Sequence, residues 1–409
     1  MTHRPAPPVP PVPPTLHLAL ELDGPGAHLA ASSAQDAASP QRVRDLVAAA
    51  ENAGITFVTF EDSLLPGPHG AARIDAVTRA AFVAPLTSRI GLVPLVHPAL
   101  VEPFHAASQL SALDHASAGR AGWLVGAGPV PGARAALDRP VPEGAALAGE
   151  IADVVQVVRA LWDSWEDDAV IRDTATGRYI DRERLHYVDF TSAGTGEPAS
   201  PASRALPDGA RAPFTVKGPL IVPRSPQGQG VVVARVGTVP ADLTDVALVD
   251  GEDVASVAVA AEAARAAGTP LVFANVTVTL STSAATGAQR AAALDAVVFD
   301  AVAFDAAAFN AAAEARPGLR WVGDAAGLVA LLTELAAVVD GVRLLTSELD
   351  EDLPVLVREV LPALRVARLT PTPQPGATLR QTLGLAHPAN RFATDPATTF
   401  ATAPVPANA

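Results

Sequence analysis

The sequence predicts a single parallel (β/α)8 barrel, and three patterns support this fold class. Short apolar runs typical of strands alternate with helical patterns between residues 15 and 394. Eight such strands can be distinguished, and this alternation is typical of a parallel sheet covered by helices. The alternation is interrupted once, by a polar excursion at about residues 165–229 between the fourth and fifth strands. Eight strands favour a closed barrel over a doubly wound sheet.

The first four strand and helix units are the clearest part of the pattern. Each strand is a short apolar run that ends at turn-forming or charged residues, and each helix repeats apolar residues at helical spacing. The predicted strands are 16–22, 55–60, 89–96 and 120–125, and the first three helices are 40–52, 71–86 and 103–115. A fourth helix, at 151–161, is expected to bring Trp162 and Trp165 to the rim of the core.

The second half follows the same order with weaker signals. The predicted strands are 231–236, 246–249, 270–280 and 342–346, and the helices are 253–267, 284–315, 324–339 and 353–364. The link between the fifth and sixth strands is unusually short. The run 284–315 is rich in Ala and Val, which fits a helix or a strand, and we favour a helix.

The remaining segments are expected to lie outside this one barrel domain. Residues 1–14 form a Pro-rich tail of polyproline type that lacks the apolar run of a signal peptide. Residues 191–213 resemble a flexible surface insertion, and residues 395–409 a loose tail.

Composition excludes several classes of partner. The net charge is −14, without a run of Lys and Arg, which argues against nucleic acid and anionic membranes. We find no apolar stretch long enough to span a bilayer. The chain has no Cys, which excludes disulfides and thiolate chemistry and fits a reducing, cytoplasmic compartment. Isolated His residues without metal-ligand spacing predict no metal site.

In a (β/α)8 barrel the site lies at the C-terminal ends of the strands. The candidates there are His28 after the first strand, Asp62 after the second, His97 after the third, Gly126 and Gly128 after the fourth, Arg235, Gly237 and Thr238 after the fifth, and Ser347 after the eighth. The two glycines after the fourth strand allow a ligand to approach backbone amides closely, although a tight turn explains them equally well.

Asp62 and a further candidate, Trp123, each have two interpretations of equal weight. Asp62 either contacts a ligand or caps the segment that follows it. Trp123 either lines the pocket of a planar ligand or fills the barrel core. The acidic residues 166–168 are interpreted as a solvated turn, and no Gly-x-Ser-x-Gly motif of a serine hydrolase occurs.

Four stretches give the chain a family resemblance. They are Leu113-Asp-His-Ala-Ser-Ala-Gly-Arg-Ala-Gly-Trp123, Leu161-Trp-Asp-Ser-Trp-Glu-Asp-Asp168, Gly218-Pro-Leu-Ile-Val-Pro-Arg-Ser-Pro-Gln-Gly228 and Thr378-Leu-Arg-Gln-Thr-Leu-Gly-Leu-Ala-His-Pro-Ala-Asn-Arg391. With these motifs the chain resembles the bacterial luciferase-like flavin monooxygenases, in the branch of the nitrilotriacetate, pristinamycin and dibenzothiophene-sulfone monooxygenases. The motifs occur in order, and the resemblance spans about residues 16–393.

The resemblance implies an activity and its partners. Such enzymes take reduced FMN from a separate flavin reductase, activate oxygen at the flavin and oxidise a small organic substrate. The protein would hold the flavin ring, shield it from water and place the substrate against it. The resemblance also suggests a homo-oligomer. It assigns no catalytic side chain, and the substrate is not identified.

Few of the residues that contact flavin in the family are kept in this sequence. The Asp after strand two is kept as Asp62, and the hydroxyl after strand five falls on Thr238. The Thr and Ser near the end of strand three fall on Leu95 and His97, the Asn of strand four on Leu124, and the His and Tyr that open the fourth helix on Gly144 and Ala148. Most of the family's polar flavin contacts are therefore replaced.

This pattern leaves two main hypotheses. Under the favoured one, a flavin monooxygenase holds FMN through Asp62, His97, Gly126, Gly128, Arg235 and Thr238, with His28 and Trp123 in the substrate pocket. Under the alternative, the chain is a non-catalytic paralogue or partner subunit that has lost flavin binding. A deazaflavin-dependent hydride transfer is a third hypothesis, which the motifs disfavour.

Overall fold

The computed structural model describes most of the chain between residues 15 and 393. The described ranges are 15–22, 24–28, 30–31, 38–64, 74–127, 137, 141–194, 213–302 and 318–393, with side chains to residue 297 in the helix that ends at 302. The predicted tails at 1–14 and 395–409, most of the predicted flexible insertion at 191–213, and Gly128 lie outside these residues.

Eight of the described strands form a closed barrel. In chain order the strands are β1 (His17–Leu22), β2 (Phe57–Phe60), β3 (Gly91–Val96), β4 (Gly122–Val125), β5 (Val170–Asp173), β6 (Arg178–Ile180), β7 (Val188–Thr191), β8 (Thr215–Gly218), β9 (Val231–Arg235), β10 (Val246–Val249), β11 (Leu271–Leu280), β12 (Leu319–Gly323) and β13 (Gly341–Thr346). The order β1–β2–β3–β4–β9–β10–β11–β13 is parallel throughout, and β13 pairs with β1. The predicted fold class and all eight predicted strands are confirmed.

The helices differ from the prediction mainly at their ends. They are α1 (Pro40–Asn52), α2 (Ala76–Val83), α3 (Pro103–Ala116), α4 (Gly144–Trp162), α5 (Val254–Ala266), α6 (Gly287–Val302), α7 (Ala325–Leu335), α8 (Leu349–Val355), α9 (Leu361–Val366) and α10 (Leu379–Thr382). Helix α2 begins at Ala76 because the Asp75 carboxylate accepts the Thr78 amide and caps it. The predicted helix 353–364 corresponds to a helical run that begins earlier, at Leu349.

One strand was not predicted. β12 pairs with the outer half of β11, which has ten residues and extends beyond the other barrel strands. β12 and α6 together form an insertion after the seventh barrel strand. The predicted helix 284–315 corresponds to α6, and its residues 303–315 lie outside the described chain.

Strand alternation divides the apolar residues between two sides of the barrel wall. Inward residues such as Phe57, Val93, Val231 and Phe273 form the barrel interior, and α10 closes its N-terminal end with Leu379 and other residues. Outward residues pack against the helices in separate clusters. Within the described residues, no helix is long and apolar enough to cross a membrane.

The excursion between the fourth and fifth barrel strands contains two antiparallel hairpins, β5–β6 and β7–β8. Trp162 and Trp165 are buried beside it instead of lying at the rim of the core. The indole N–H of Trp162 donates to the Ala107 carbonyl at 3.1 Å, and that of Trp165 donates to the Leu220 carbonyl at 2.7 Å. Both tryptophans therefore fasten the base of the excursion.

The four motifs that carry the family resemblance meet at the N-terminal face of the barrel. Gln227 donates to the Asp114 carboxylate at 2.6 Å and accepts the Arg380 amide at 3.2 Å. Arg224 pairs with Asp163 at 2.8 Å, and Gln229, just after the third motif, donates to the same carboxylate at 2.8 Å. Asp245 pairs with Arg380 at 2.9 Å. Because this face lies opposite the C-terminal ends of the strands, the motifs hold the barrel together and do not line its mouth.

Candidate functional site

Three predicted site residues share one layer at the mouth of the barrel. Leu95 is the register partner of Leu124, and Leu124 is the partner of Val233. Two residues further along the chain, His97, Gly126 and Arg235 therefore occupy adjacent inward positions at the ends of β3, β4 and β9. The sequence placed these residues at strand ends, and closure of the barrel brings them together.

The His97 ring, and not a tight turn, explains why position 126 is a glycine. A Cβ atom at Gly126 would lie 2.2 Å from His97 Nδ1, which is much shorter than any allowed contact. The small residue therefore leaves room for the imidazole ring. Burial lowers the pKa of His97 to about 4, so that the ring is neutral at pH 7. His97, Leu95 and Leu124 form an uncharged wall on this side of the mouth.

Two partly buried histidines with lowered pKa values predict a loss of stability in mild acid. Burial also lowers the pKa of His17 to about 4, despite a nearby Asp340 that raises it. Between pH 6.5 and about 4 the unfolded chain binds more protons than the folded chain, so stability falls as the pH falls. Each histidine is expected to contribute on the order of 2–3 kcal/mol to this fall.

Urea unfolding between pH 7.5 and 4.5 tests this expectation. Subtracting the unfolding free energy of His97→Gln from that of the parent chain at each pH separates the contribution of His97 from that of the carboxylates. The same comparison with His17→Gln gives the contribution of His17. Each variant should have a flatter dependence of unfolding free energy on pH than the parent. Parallel curves for parent and variants would contradict the assignment of neutral imidazoles in the folded chain.

The side of the mouth formed by β9, β10 and β11 is charged. Arg235 Nη2 donates to the Asp250 carboxylate at 2.5 Å, and the Asn275 amide nitrogen donates to the same carboxylate at 3.0 Å. Asn275 is 7% exposed, and its Oδ1 atom has no hydrogen-bond partner in the described chain. The sequence analysis did not select Asp250 or Asn275. The signal for Asn275 was a single amide in the apolar run of β11.

A second buried cluster was also not predicted. Arg343 donates through Nε to the Thr59 hydroxyl at 3.1 Å and through Nη2 to Glu21 at 2.6 Å, and it also pairs with Glu61. Arg343 points inward from β13, Thr59 from β2 and Glu21 from β1. Glu61 reaches the cluster from the end of β2. The signal was Glu21, a charged residue inside an otherwise apolar predicted strand.

Asp62 caps a local segment, the second of its two predicted interpretations. Its carboxylate accepts the Ser63 amide at 2.8 Å and the Ala76 amide at 3.0 Å. Burial raises the pKa of Asp62, and these amide bonds oppose the rise. The preceding residue, Glu61, is the one that reaches the Arg343 cluster. The carboxylate of Asp62 thus caps the chain at the start of α2, and its assignment as a flavin contact stays a prediction.

His28 connects the loop after β1 to helix α6. Its Nε2 atom lies 3.2 Å from Asp295 Oδ1 on α6, and its Nδ1 atom accepts the Ala30 amide at 3.2 Å. Both ring nitrogens are therefore engaged, with the proton on Nε2. This arrangement does not leave a nitrogen available as a general base. A role for His28 in a substrate pocket stays a prediction.

Trp123 lies outside the barrel, which corrects its assignment to a substrate pocket. Its side chain is 0% exposed and packs in the cluster between the barrel wall and helices α3 and α4. The indole N–H donates to the Val96 carbonyl at 3.0 Å, and the ring meets Trp162 edge to face at a centroid distance of 6.4 Å. Alternation along β4 turns Trp123 outward while Gly122 and Leu124 turn inward.

A groove begins beside Arg235 on the outer wall of the barrel. β9 is joined to β10 by a link that contains only the 3-10 turn Ala241–Leu243, so no α-helix of this link covers the two strands. The groove between α4 and α5 has a volume of about 500 Å³. Its walls and floor are mostly small residues, including Ala148, Ala152, Ala234, Ala247, Ala263 and Ala264.

The upper end of this groove is formed by the turn after β9. The Thr238 hydroxyl and amide both donate to the Arg235 carbonyl, at 2.6 and 3.1 Å. Gly237 has φ +80°, and no atom lies within 4 Å of the position that a Cβ atom would take there. Its amide has no backbone acceptor in the described chain. Thr238 thus stabilises the turn, while Gly237 offers a free amide donor beside Arg235.

Comparison with known proteins identifies the family. A family model described as luciferase-like monooxygenase matches residues 23–335, which is more than half of the chain. The chain belongs to the luciferase-like monooxygenase family.

Individual relatives in this family match parts of the chain. N-acetyl-S-(2-succino)cysteine monooxygenase of Bacillus subtilis (strain 168) is 32% identical over 228 residues, covering 53% of this chain and 47% of the relative. A pristinamycin IIA synthase subunit of Streptomyces pristinaespiralis is 36% identical over 212 residues, covering 52% of this chain and 63% of the relative. The matched part thus spans about half the length of these relatives.

Solved structures with low sequence identity share the fold of the whole chain. A riboflavin lyase structure with modified FMN and substrate riboflavin superposes with a TM-score of 0.71 at 19% identity, covering 91% of this chain and 96% of the other. At this level of identity the likeness concerns the fold alone.

Luciferase-like monooxygenases use reduced flavin, and the mouth of the barrel contains groups that suit one. An arginine has five N–H donors, and the bond from Arg235 to Asp250 uses one nitrogen of its guanidinium. The Arg235 guanidinium and the Gly237 amide are donors of the two kinds that bind phosphate in proteins. The uncharged wall of Leu95, Leu124 and His97 suits the largely apolar ring. These donors differ from the family's contacts, but their chemistry fits both ends of a flavin.

Proposed function

We propose that this chain is the oxygenase of a two-component, flavin-dependent monooxygenase that uses reduced FMN from a separate reductase and O2 to oxidise a small organic substrate. Membership of the luciferase-like monooxygenase family is the observation that carries the proposal. The relatives named as monooxygenases support it. When bound, the flavin would supply the oxidising chemistry.

The residues of the chain would bind and orient this flavin. Arg235 and the Gly237 amide hold the phosphate, and Asp250 keeps the Arg235 guanidinium at the rim of the mouth. His97, neutral at pH 7, packs with Leu95 and Leu124 against the ring and excludes water there. Gly126 leaves room for the His97 ring, and Thr238 supports the turn that presents the Gly237 amide. A contact of Gly128 with the flavin stays a prediction, since Gly128 lies outside the described residues.

Anaerobic titration with reduced FMN and reduced riboflavin, followed by absorbance and fluorescence, tests the proposal. The parent chain should bind FMN saturably and more tightly than riboflavin, which lacks the phosphate. Arg235→Ala should weaken FMN about 10- to 100-fold, because a hydrogen bond to a charged group contributes about 1.5–3 kcal/mol. The same variant should leave riboflavin affinity unchanged.

The exposed Arg178 provides a matched control, since it pairs with Asp181 on the excursion and Arg178→Ala should change neither affinity. A parallel titration with a reduced deazaflavin separates hydride transfer from oxygen chemistry. If none of these cofactors binds up to millimolar concentration, the proposal fails. The ion-paired mouth would then belong to a non-catalytic paralogue or partner subunit, whose binding partner would have to be sought.

A further inference from the structure

The inner faces of β11 and β13 lie across the barrel from its uncharged wall. In the order of the barrel strands, β11 is four strands away from β3, and β13 is four strands away from β4. Phe273 is an inward residue of β11, and alternation along the strand turns Asn275 and Thr277 inward as well. Arg343 is the register partner of Asn275 on β13 and points inward with it. We call Asn275, Thr277 and Arg343 the β11–β13 wall.

Each residue of the β11–β13 wall has hydrogen-bonding capacity that the described chain does not use. Asn275 Oδ1 accepts no hydrogen bond there. Arg343 donates through Nε and Nη2, and its Nη1 donates to no group of the described chain. Both residues are more than nine-tenths buried. Thr277 is partly exposed, and its hydroxyl makes no hydrogen bond with the described residues. Because unpaired polar groups in an interior cost free energy, three of them on one wall point to a ligand that pairs with them.

We propose that the β11–β13 wall recognises the imide edge of the flavin ring, which consists of the C2 carbonyl, the N3–H group and the C4 carbonyl. This inference rests on the proposed flavin-dependent function. The imide edge presents two acceptors and one donor. The wall presents two donors, Arg343 Nη1 and the Thr277 hydroxyl, and one acceptor, Asn275 Oδ1. The N3–H group would donate to Asn275, and the two carbonyl oxygens would accept from Arg343 and Thr277.

A neighbouring carboxylate fixes the orientation of the Asn275 amide. Asp250 accepts a hydrogen bond from the Asn275 amide nitrogen at 3.0 Å and another from Arg235 at 2.5 Å. Because an ionised carboxylate only accepts hydrogen bonds, the amide nitrogen faces Asp250 and the amide oxygen is left for another donor. The same carboxylate links the proposed phosphate donor to the β11–β13 wall, so both polar ends of the flavin would be held by one network.

The charges around Arg343 favour a neutral carbonyl oxygen over an anionic group. Glu21 and Glu61 both pair with its Nη2 atom. Two carboxylates beside one guanidinium would repel a carboxylate or sulfonate of a substrate. A carbonyl oxygen of the imide edge accepts the Nη1 hydrogen bond without this repulsion.

FMN methylated at N3 is a matched probe, because the methyl group replaces the N3 proton and leaves the phosphate unchanged. The measured quantity is the dissociation constant of reduced FMN and of reduced 3-methyl-FMN under anaerobic conditions. The proteins compared are the parent chain, Asn275→Leu, Thr277→Val and the control Thr191→Val. Thr191 is an exposed threonine of β7 on the excursion. Circular dichroism checks that each variant is folded.

The parent chain should bind reduced FMN about tenfold more tightly than reduced 3-methyl-FMN, because methylation removes one hydrogen bond and leaves Asn275 Oδ1 without a donor. Asn275→Leu should weaken FMN and remove the difference between the two flavins. Thr277→Val should weaken both flavins about three- to tenfold and keep the difference between them. Thr191→Val should match the parent chain.

The comparison of the two flavins on the parent chain needs no variant, so it decides the inference even if Asn275→Leu does not fold. Equal affinity of the parent chain for both flavins would overturn the inference and leave the proposed function standing. The same holds if Asn275→Leu still prefers FMN, or if Thr277→Val binds both flavins as the parent chain does. If no flavin binds at all, the proposed function fails and this inference fails with it.

Discussion

Replacing Asp245 by Ala is expected to lower the free energy of unfolding by about 3–5 kcal/mol, the usual cost of leaving a buried charge without its partner. The Asp245 carboxylate accepts hydrogen bonds from Arg159 at 2.8 Å, from Arg380 at 2.9 Å and from the Val232 amide at 2.9 Å. The residue is 8% exposed, and both arginines are buried as well. The variant would leave two guanidinium groups in the interior without this carboxylate.

Urea unfolding at pH 7 measures this effect, and Asp189→Ala is the control. Asp189 faces Lys217 at 3.7 Å across the exposed hairpin β7–β8, where the loss should be below about 1 kcal/mol. Asp245→Asn keeps the shape of the side chain and should fall between the two. If Asp245→Ala is no more destabilising than Asp189→Ala, the ion pairs of Asp245 with Arg159 and Arg380 do not stabilise the N-terminal face of the barrel.

Trp123→Ala is expected to destabilise the fold by about 3–5 kcal/mol, as other truncations of large buried aromatic residues do. The substitution removes the contact with Trp162 and the hydrogen bond to the Val96 carbonyl, and it opens a cavity between the barrel and its helices. Trp123→Phe keeps most of the apolar volume but loses the indole N–H. It should cost less than Trp123→Ala, by thermal or urea unfolding.

The same variants distinguish a core residue from a pocket residue. If Trp123 lies outside the barrel, flavin affinity measured below the unfolding transition should be the same for Trp123→Phe and the parent chain. A large loss of ligand affinity with an unchanged unfolding midpoint would instead return Trp123 to the pocket.

The barrel could be predicted from the sequence because its signals are local. Each strand is a short apolar run with a turn at its end, and these features depend on neighbours a few residues away. The same signals placed His97, Gly126 and Arg235 at strand ends. The strand β12 was missed because its pairing with the outer half of β11 depends on the unusual length of β11, not on its own five residues.

Asp62 and Trp123 show where local patterns were insufficient. Their positions near strand ends were correct, but the side of the wall on which a residue lies depends on inward and outward alternation in the closed barrel. Asp62 meets the start of α2, while its neighbour Glu61 joins the inner cluster. Trp123 faces the helices, while Leu124 faces the interior.

The sequence by itself determined the eight strands, their order along the chain and the family. Only the tertiary structure decided which side chains meet at the mouth of the barrel. Glu21 and Arg343 are 322 residues apart in sequence, and they form an ion pair because barrel closure places β13 beside β1. The groove beside β9 likewise appears only when α4 and α5 pack on the wall. Such contacts depend on the packing of distant elements, which no local pattern of residues encodes.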